Sequence, residues 1–348
     1  MGGDIPYPVE HTMEKEFQIM TSRFFTVGIS LSIILVSHGA AAATAEWKPD
    51  RPIEIIVGTG VGGGQDKSAR TVQRILQEKK LVEQTVTVVN KPGGGGAVGY
   101  TYLNQHAGEG NIIYVGNPTL LTNHIIGRSP VNYTHVTPLA ILLSESVAVS
   151  VRSESPLKSL KDLLARLKQD SAQVSVAVGS SLGSTNHIAM AMIAKAAGGD
   201  GRKLRTVVFQ GGGEAITALL GGHIEVNSSA ANNVVPHKES GKLRVLAVAA
   251  PKRLGGILAD VPTLKEQGVN AQVTNWRMVA GPKGMTPAQI AYWDRVIGKL
   301  VQTPEWKKDL ADNVFEGSYR NSAATELYMQ ADYEQFRAAL AELGMLKK

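Results

Sequence analysis

The sequence predicts an α/β protein of two domains, each a mostly parallel sheet flanked by helices. Short apolar strands alternate with helical patterns from about residue 52 to 280, which is typical of βαβ units. Glycine is frequent, at 37 of 348 residues, and clusters where tight turns join strands to helices. Hydrophobic residues make up 43% of the chain and charged residues 19%, so a substantial core is expected.

Individual elements follow from hydrophobic periodicity and from glycine and proline breaks. Apolar runs predict strands at 53–57, 85–89, 111–115, 139–151, 174–178, 205–209, 223–227, 243–249 and 272–280. Apolar residues at helical spacing predict helices at 64–80, 96–107, 117–127, 157–169, 184–197, 212–221, 261–267, 286–301, 304–312 and 322–342. The last three helices must pack against a sheet, and we expect this to be the sheet of the first domain.

A break near residue 150 marks the boundary between the domains. The strand ending at Arg152 is followed by Ser153–Pro156 and then by a fresh helical pattern. We therefore expect residues 47–150 plus 275–348 to form domain one and residues 151–274 to form domain two. Two strands would then cross between the domains, and ligands of such sheets bind at the carboxyl ends of strands, often between domains.

The N-terminal residues 1–45 have the order of an upstream extension and a secretory signal peptide. Arg23 precedes an apolar run at 24–36, and small residues follow at 39–45. We expect cleavage near Ala43 or Ala45 and export to the periplasm. An uncleaved anchor helix is the alternative, although the apolar run is short for a transmembrane span.

Composition excludes several classes of function. The chain has no cysteine, which excludes disulfides and thiol chemistry, and its histidines show no metal-binding spacing. Aromatic residues are only 5%, and basic residues are spread rather than clustered, which argues against nucleic acid. The net charge of +6 suits small anionic ligands. We expect no metal and no cofactor.

The most informative segment is the glycine loop between strand 53–57 and the next helix. Its start matches G-x-G-x-x-G, but a dinucleotide site needs an acid where Asn90 ends the second strand. A triphosphate loop needs glycine where Asp66 precedes Lys67. The remaining interpretation is a helix start that binds a carboxylate through backbone N–H groups, which need no lysine or arginine in the pocket. Its candidate residues are Thr59, Gly62, Gly63, Gly64, Gln65 and Asp66. Three alternative roles remain open for Asp66: it caps its own helix, it binds a ligand amine or hydroxyl, or it holds a water molecule in place.

A second segment, residues 179–183, matches the G-x-S-x-G elbow of serine hydrolases. An exported serine hydrolase using Ser181 is therefore the alternative function. The histidines that follow Ser181 are His187, His223 and His237, and none lies near the end of the chain, where the elbow needs a base. The plainer interpretation is a second helix start that holds a ligand, with Ser180, Ser181, Gly183, Ser184 and Thr185 as candidates.

Three further places complete the candidate site. A glycine turn at 210–214 and a polar strand end at 227–233 belong to the second domain, and Asn117 follows a strand of the first. The candidates there are Asn117, Gln210, Gly211, Ser228 and Ser229. Another glycine turn, 91–99, is interpreted as a tight loop lining the domain edge rather than as a ligand contact.

Several segments together resemble one family. Residues 61–70 are similar to the P-G-G-x-x-D-x-x-A-R signature of the Bug, or TctC-type, solute receptors of tripartite tricarboxylate transporters. Residues 88–99 resemble that family's E-N-x-P-G-A-G-G-x-x-G turn, and residues 281–287 continue the match. The matches keep their order from about 47 to 345.

The resemblance implies a type II-like periplasmic binding protein that closes on a small carboxylate and delivers it to membrane permease subunits, acting as a monomer. Three departures stand out: Val61 replaces a proline, Phe209-Gln210 replaces a Tyr-Lys pair, and 227–229 replaces an acidic or aromatic strand end. The last two lie at the expected pocket. Short dicarboxylates, aromatic acids, amino acids and nicotinic-type acids all remain open as ligands, as does a sensory rather than transport role.

Overall fold

Two five-stranded sheets carry the fold in the computed structural model, which describes residues 46–179, 181–271 and 273–347. The predicted signal segment, 1–45, lies outside the described residues. In chain order, the strands are β1 (Ile53–Val57), β2 (Val86–Asn90), β3 (Ile112–Gly116), β4 (Val136–Glu145), β5 (Val147–Arg152), β6 (Ser175–Gly179), β7 (Arg205–Phe209), β8 (Val226–Ala230), β9 (Leu243–Ala249) and β10 (Asn275–Pro282).

Ten α-helices cover these sheets. They are α1 (Gly64–Glu78), α2 (Ala97–Asn104), α3 (Thr119–Ile125), α4 (Leu160–Gln169), α5 (Thr185–Ala196), α6 (Gly212–Leu220), α7 (Ala231–Glu239), α8 (Pro287–Leu300), α9 (Pro304–Asp312) and α10 (Ser322–Glu342). None of the helices in this described part of the chain is long and apolar enough to cross a membrane.

The sheets define two lobes. The first lobe contains the sheet β2-β1-β3-β10-β4 with α1–α3 and α8–α10, and the second lobe contains the sheet β7-β6-β8-β5-β9 with α4–α7. The predicted α/β class with two sheets is confirmed. Each sheet is mixed rather than mostly parallel: β1 pairs in parallel with β2 and β3, and β6 with β7 and β8, whereas β10 and β5 pair antiparallel to both neighbours.

The antiparallel strand pairs of each sheet arise where the chain passes between the lobes. The sequence predicted one strand over 139–151, but the structure divides this run at Ser146 into β4 of the first sheet and β5 of the second. An unbroken apolar run cannot show this change of sheet, because both strands are buried. Strand β10 returns to the first sheet from the second lobe and pairs with β4.

Two other predictions differ from the structure. The helix predicted over 261–267 is only a short 3-10 turn, Lys265–Gln267, followed by Gly268 at φ 80°. No helix was predicted between residues 222 and 260, but helix α7, which contains Pro236 and two asparagines, follows β8 there. The sequence did not predict this helix because its residues have weak helix propensity. The packing of its buried face, rather than propensity, stabilises it.

Three tryptophans, each at most 1% exposed, anchor the helical tail to the first sheet. Trp293 on α8 donates from Nε1 to the carbonyl of Gly110 at 2.8 Å. Trp276 on β10 donates to Asp332 of α10 at 2.7 Å. The tail therefore fixes strand β10, which carries residues of the site described next.

Candidate ligand-binding cleft

A narrow cleft lies between the two lobes, at the carboxyl ends of β1, β3, β6, β7 and β8. Fifteen residues line it: Thr59, Gly63, Gly64, Gln65, Asn117, Gly179, Ser184, Thr185, Asn186, Gly211, Gly212, Ala230, Asn233, Asn275 and Arg277. They enclose about 30 Å³, which is room for one or two water molecules. An organic molecule of several carbons would therefore enter only if the lobes separated.

Four helices begin at this cleft: α1, α5, α6 and α7. None has a side-chain hydrogen bond at its N-cap, where Gly63, Ser184, Gly211 and Ala230 stand. Of the other helices, α4, α8, α9 and α10 are each capped by a Ser, Thr or Asn side chain, whereas α2 and α3 are not. The cleft thus gathers helix starts whose N–H groups carry partial positive charge and lack side-chain caps, an arrangement suited to an anion.

Glycines let the two sides of the cleft approach each other closely. A Cβ added to Gly211 would lie 3.4 Å from the Cα of Gly63 in the opposite lobe. A Cβ added to Gly95 would lie 2.8 Å from Oγ of Ser181. The turn around Gly95 therefore contacts the second lobe, as expected for a loop that lines the edge of its domain.

Asp66 organises the first glycine loop. Its Oδ2 accepts hydrogen bonds from the backbone N–H of Gly62 at 2.9 Å and from Arg70 Nε at 3.0 Å, and its Oδ1 accepts from Asn90 Nδ2 at 2.9 Å. Burial alone would raise the pKa of Asp66, but these bonds outweigh it and hold the pKa below its usual value. Of the roles left open, the structure shows the carboxylate bonded to its own loop.

Half of the sequence-predicted site residues line the cleft. They are Thr59, Gly63, Gly64, Gln65, Asn117, Ser184, Thr185 and Gly211. The structure does not bring Gly62, Asp66, Ser181, Gly183, Gln210, Ser228 or Ser229 to the lining, although most belong to the loops that form it. Ser180 lies outside the described residues.

Ser228 and Ser229 lie inside β8 and are fully buried. Ser228 donates to the carbonyl of Asn186 at 2.9 Å, and Ser229 accepts from the Asn227 side chain at 3.0 Å. Because β8 ends three residues later than the predicted strand 223–227, these serines serve sheet packing. Ala230 and Asn233 occupy the cleft instead.

The geometry around Ser181 differs from that of a nucleophile elbow. Its Oγ is buried and has no hydrogen-bond partner among the described residues. His187 lies in the first turn of α5, and its Nδ1 accepts a hydrogen bond of 3.1 Å from the backbone N–H of Gly183. Burial and nearby Arg128 lower the pKa of His187 to about 4, so it is a neutral acceptor at pH 7. In the described part of the chain, no group of His, Asp or Glu could hold a metal.

Arg277 is the one charged side chain among the described residues that line the cleft, and sequence reasoning missed it. Its Nη2 pairs with Glu145 Oε2 at 2.7 Å, and both residues are at most 3% exposed. Burial lowers the pKa of Arg277 and raises that of Glu145, while each charge opposes the shift of the other. The sequence feature that could have identified Arg277 is its position as a single arginine inside the apolar strand 275–282.

The chain is similar to known proteins over most of its length. The family model for "Tripartite tricarboxylate transporter family receptor" (TctC) matches residues 69–345. A curated relative, "UPF0065 protein in gbd 5'region" of Cupriavidus necator, is 26% identical over 336 residues, covering 94% of this chain and 99% of the relative.

Solved structures share its fold. The periplasmic binding protein BugD superposes with a TM-score of 0.79 at 23% identity, over 86% of this chain and all of BugD. MatC of Rhodopseudomonas palustris with bound malate gives 0.76 at 22%, over 84% of this chain and all of MatC. Rpa4515 of R. palustris with adipate gives 0.79 at 22%, over 86% and 99%.

The two-lobed α/β fold with an inter-lobe cleft is the fold of the periplasmic binding protein BugD. The chain belongs to the tripartite tricarboxylate transporter family receptors. The resemblance drawn from the sequence motifs is thereby confirmed.

Proposed function

We propose that this protein is a periplasmic solute-binding receptor that captures a small carboxylate between its lobes and delivers it to the permease subunits of a tripartite tricarboxylate-type transporter. It acts as a monomer, without a cofactor and without catalysing a reaction. The signal-peptide pattern at 1–45 supports export to the periplasm.

The observation that carries this proposal is the meeting of four helix starts without side-chain caps, together with Arg277, at one inter-lobe cleft. Charge-assisted hydrogen bonds from backbone N–H groups each contribute roughly 1.5–3 kcal/mol. The structural relatives solved with malate and with adipate support a carboxylate as the ligand class.

Binding requires motion between the lobes. The connections between the sheets pass through Ser146 and through the segment before Asn275. We propose that these are the hinges. The domain boundary expected between residues 150 and 151 then moves to Ser146, because β5 belongs to the sheet of the second lobe. A ligand then enters an open cleft and is enclosed when the helix starts of both lobes converge on it.

A thermal-shift screen of the purified mature chain against a library of carboxylates tests the proposal. Binding to the folded state raises the apparent stability by RT ln(1 + [L]/Kd), about 2.7 kcal/mol at a hundredfold excess over Kd. At least one carboxylate should raise the melting temperature by several degrees, and amines and sugars without a carboxylate should not. A screen in which no carboxylate shifts the melting temperature would contradict the proposal.

A further inference from the structure

Glu145 and Arg277 form an ion pair in which one hydrogen-bonding group of each partner remains unused. Arg277 Nη1 donates to Asn275 Oδ1 at 3.2 Å and to the Trp276 carbonyl at 3.3 Å, and Nη2 donates to Glu145. Glu145 Oε2 also accepts from Asn275 Nδ2 at 3.0 Å. Arg277 Nε and Glu145 Oε1 are buried and have no partner among the described residues.

The pair lies directly against the start of helix α1. A Cβ added to Gly64 would lie 2.8 Å from Arg277 Nη2 and 3.7 Å from Glu145 Oε1. Gly64 and Arg277 both line the cleft. Glu145 is not itself among the lining residues, but its unused acceptor lies directly behind Gly64, beside the space where the helix N–H groups of α1 would meet a carboxylate.

Stability alone is a weak reason for such a pair. Two buried charges with incomplete hydrogen bonding are often no better than apolar residues of the same volume. Both residues also have apolar neighbours on their own strands: on β4, Leu143 precedes Glu145 by two residues, and on β10, Met278 follows Arg277. A buried pair placed beside a ligand cleft, with one donor and one acceptor to spare, is better explained by recognition.

The electrostatic consequence is that Glu145 neutralises the cleft's own cation. An incoming dianion finds Arg277 already paired and meets a carboxylate beside it. A carboxylate that brings its own ammonium group places one charge opposite each member of the pair. Lys67 also acts on Glu145, but its side chain is exposed, so water and salt screen it.

We propose that the Glu145–Arg277 pair selects carboxylates that carry an ammonium group, with Arg277 facing the carboxylate and Glu145 accepting from the ammonium. The inference rests on the proposed function and narrows its ligand class to amino acids. It separates this chain from relatives solved with the dianions malate and adipate. Glu145 and Arg277 are thus specificity-determining residues on the two strands that join the lobes.

Calorimetric titration with matched ligand pairs tests this inference on the wild-type mature chain. The probes are propionate and alanine, succinate and aspartate, glutarate and glutamate, and adipate and 2-aminoadipate, which differ within a pair by one ammonium group. At each length that binds, the amino form should bind at least about tenfold more tightly, the worth of one charge-assisted hydrogen bond.

The variant Glu145→Gln keeps the shape of the side chain and removes its charge. It should weaken binding of the amino form about tenfold and leave the unsubstituted acid equal or tighter, because Arg277 is then free to pair with the ligand. A purely structural role for Glu145 would weaken both forms equally. Glu326→Gln, an equal charge change on the exposed face of α10, should alter neither affinity.

The remaining outcomes are also decisive. If unsubstituted acids bind as tightly as amino acids, or if only unsubstituted acids bind, the inference is overturned while the carboxylate receptor stands. If none of the eight probes binds, the inference falls, and the proposed function then depends on the wider carboxylate screen. The wild-type comparison needs no variant, so misfolding of Glu145→Gln would not decide the question.

Discussion

Two buried aspartates show how single residues in this fold respond to their surroundings in opposite directions. Hydrogen bonds from Arg70, Gly62 and Asn90 overcome the burial of Asp66 and lower its pKa. Burial of Asp332 outweighs its hydrogen bond from Trp276 and raises its pKa to about 6. One carboxylate therefore stabilises the fold as an anion, whereas the other costs stability when it is charged.

Replacing Asp66 by Asn should destabilise the fold by about 1–3 kcal/mol at pH 7, because a carboxylate that accepts three hydrogen bonds becomes an amide that must donate at one of them. The pKa is lower in the folded state, so this stability is present above the unfolded pKa near 3.8 and is lost as pH falls through the folded value.

Urea unfolding of wild type and Asp66→Asn at pH 7 and near pH 3 measures this difference. The exposed Asp50→Asn serves as the control and should change stability by less than about 0.5 kcal/mol. Equal stability of wild type and Asp66→Asn at pH 7 would contradict the role given to Asp66.

At the scale of elements, the glycine turns and helix starts were predictable from sequence, since local backbone chemistry sets them. The start of α1 at Gly64 and the whole of α10 are found where the pattern placed them. The change of sheet at Ser146 and the helix α7 were not predictable, because they depend on pairing between distant strands and on packing. Arg277 was missed for the same reason: only the pairing of β10 with β4 brings it to Glu145 and the cleft.

The contact between α10 and β10 gives a prediction at this scale. Asp332→Asn keeps an oxygen that accepts from Trp276 Nε1 and removes the cost of a buried charge. Since the pKa of Asp332 is about 6 in the folded state and the usual value is 3.8, wild type loses stability as pH rises between these values. The variant should be more stable than wild type at pH 7, by about 1–3 kcal/mol.

Thermal or urea unfolding across pH 3.5 to 7.5 checks this expectation. The stability difference between Asp332→Asn and wild type should vanish near pH 3.5, where the carboxyl is protonated in both the folded and unfolded states. A variant that is less stable than wild type at pH 7 would show that the charged carboxylate holds α10 on β10.

At the scale of the whole molecule, two lobes joined by crossing strands enclose a cleft of about 30 Å³. The charge of +6 draws anions towards it, and helix starts from both lobes meet inside it. In the proposed function, lobe closure supplies donors from both sides at once. The sequence predicted the glycine-rich turns on both sides of this cleft, but the pair proposed to make it charge-selective is seen only in the folded chain.

The most direct test of this arrangement compares Gly211→Val with Gly213→Val in calorimetric titration of a carboxylate found by the thermal-shift screen. Gly211 has an extended backbone that any residue adopts, and its Cβ would face Gly63 across the cleft at 3.4 Å. A Cβ at Gly213, two residues further along the same helix start, meets nothing within 4 Å. We predict that Gly211→Val loses affinity by at least about tenfold, while the melting temperature of the unliganded protein stays unchanged. Gly213→Val should keep the affinity of wild type. Unchanged affinity in Gly211→Val would contradict a ligand site between the two lobes.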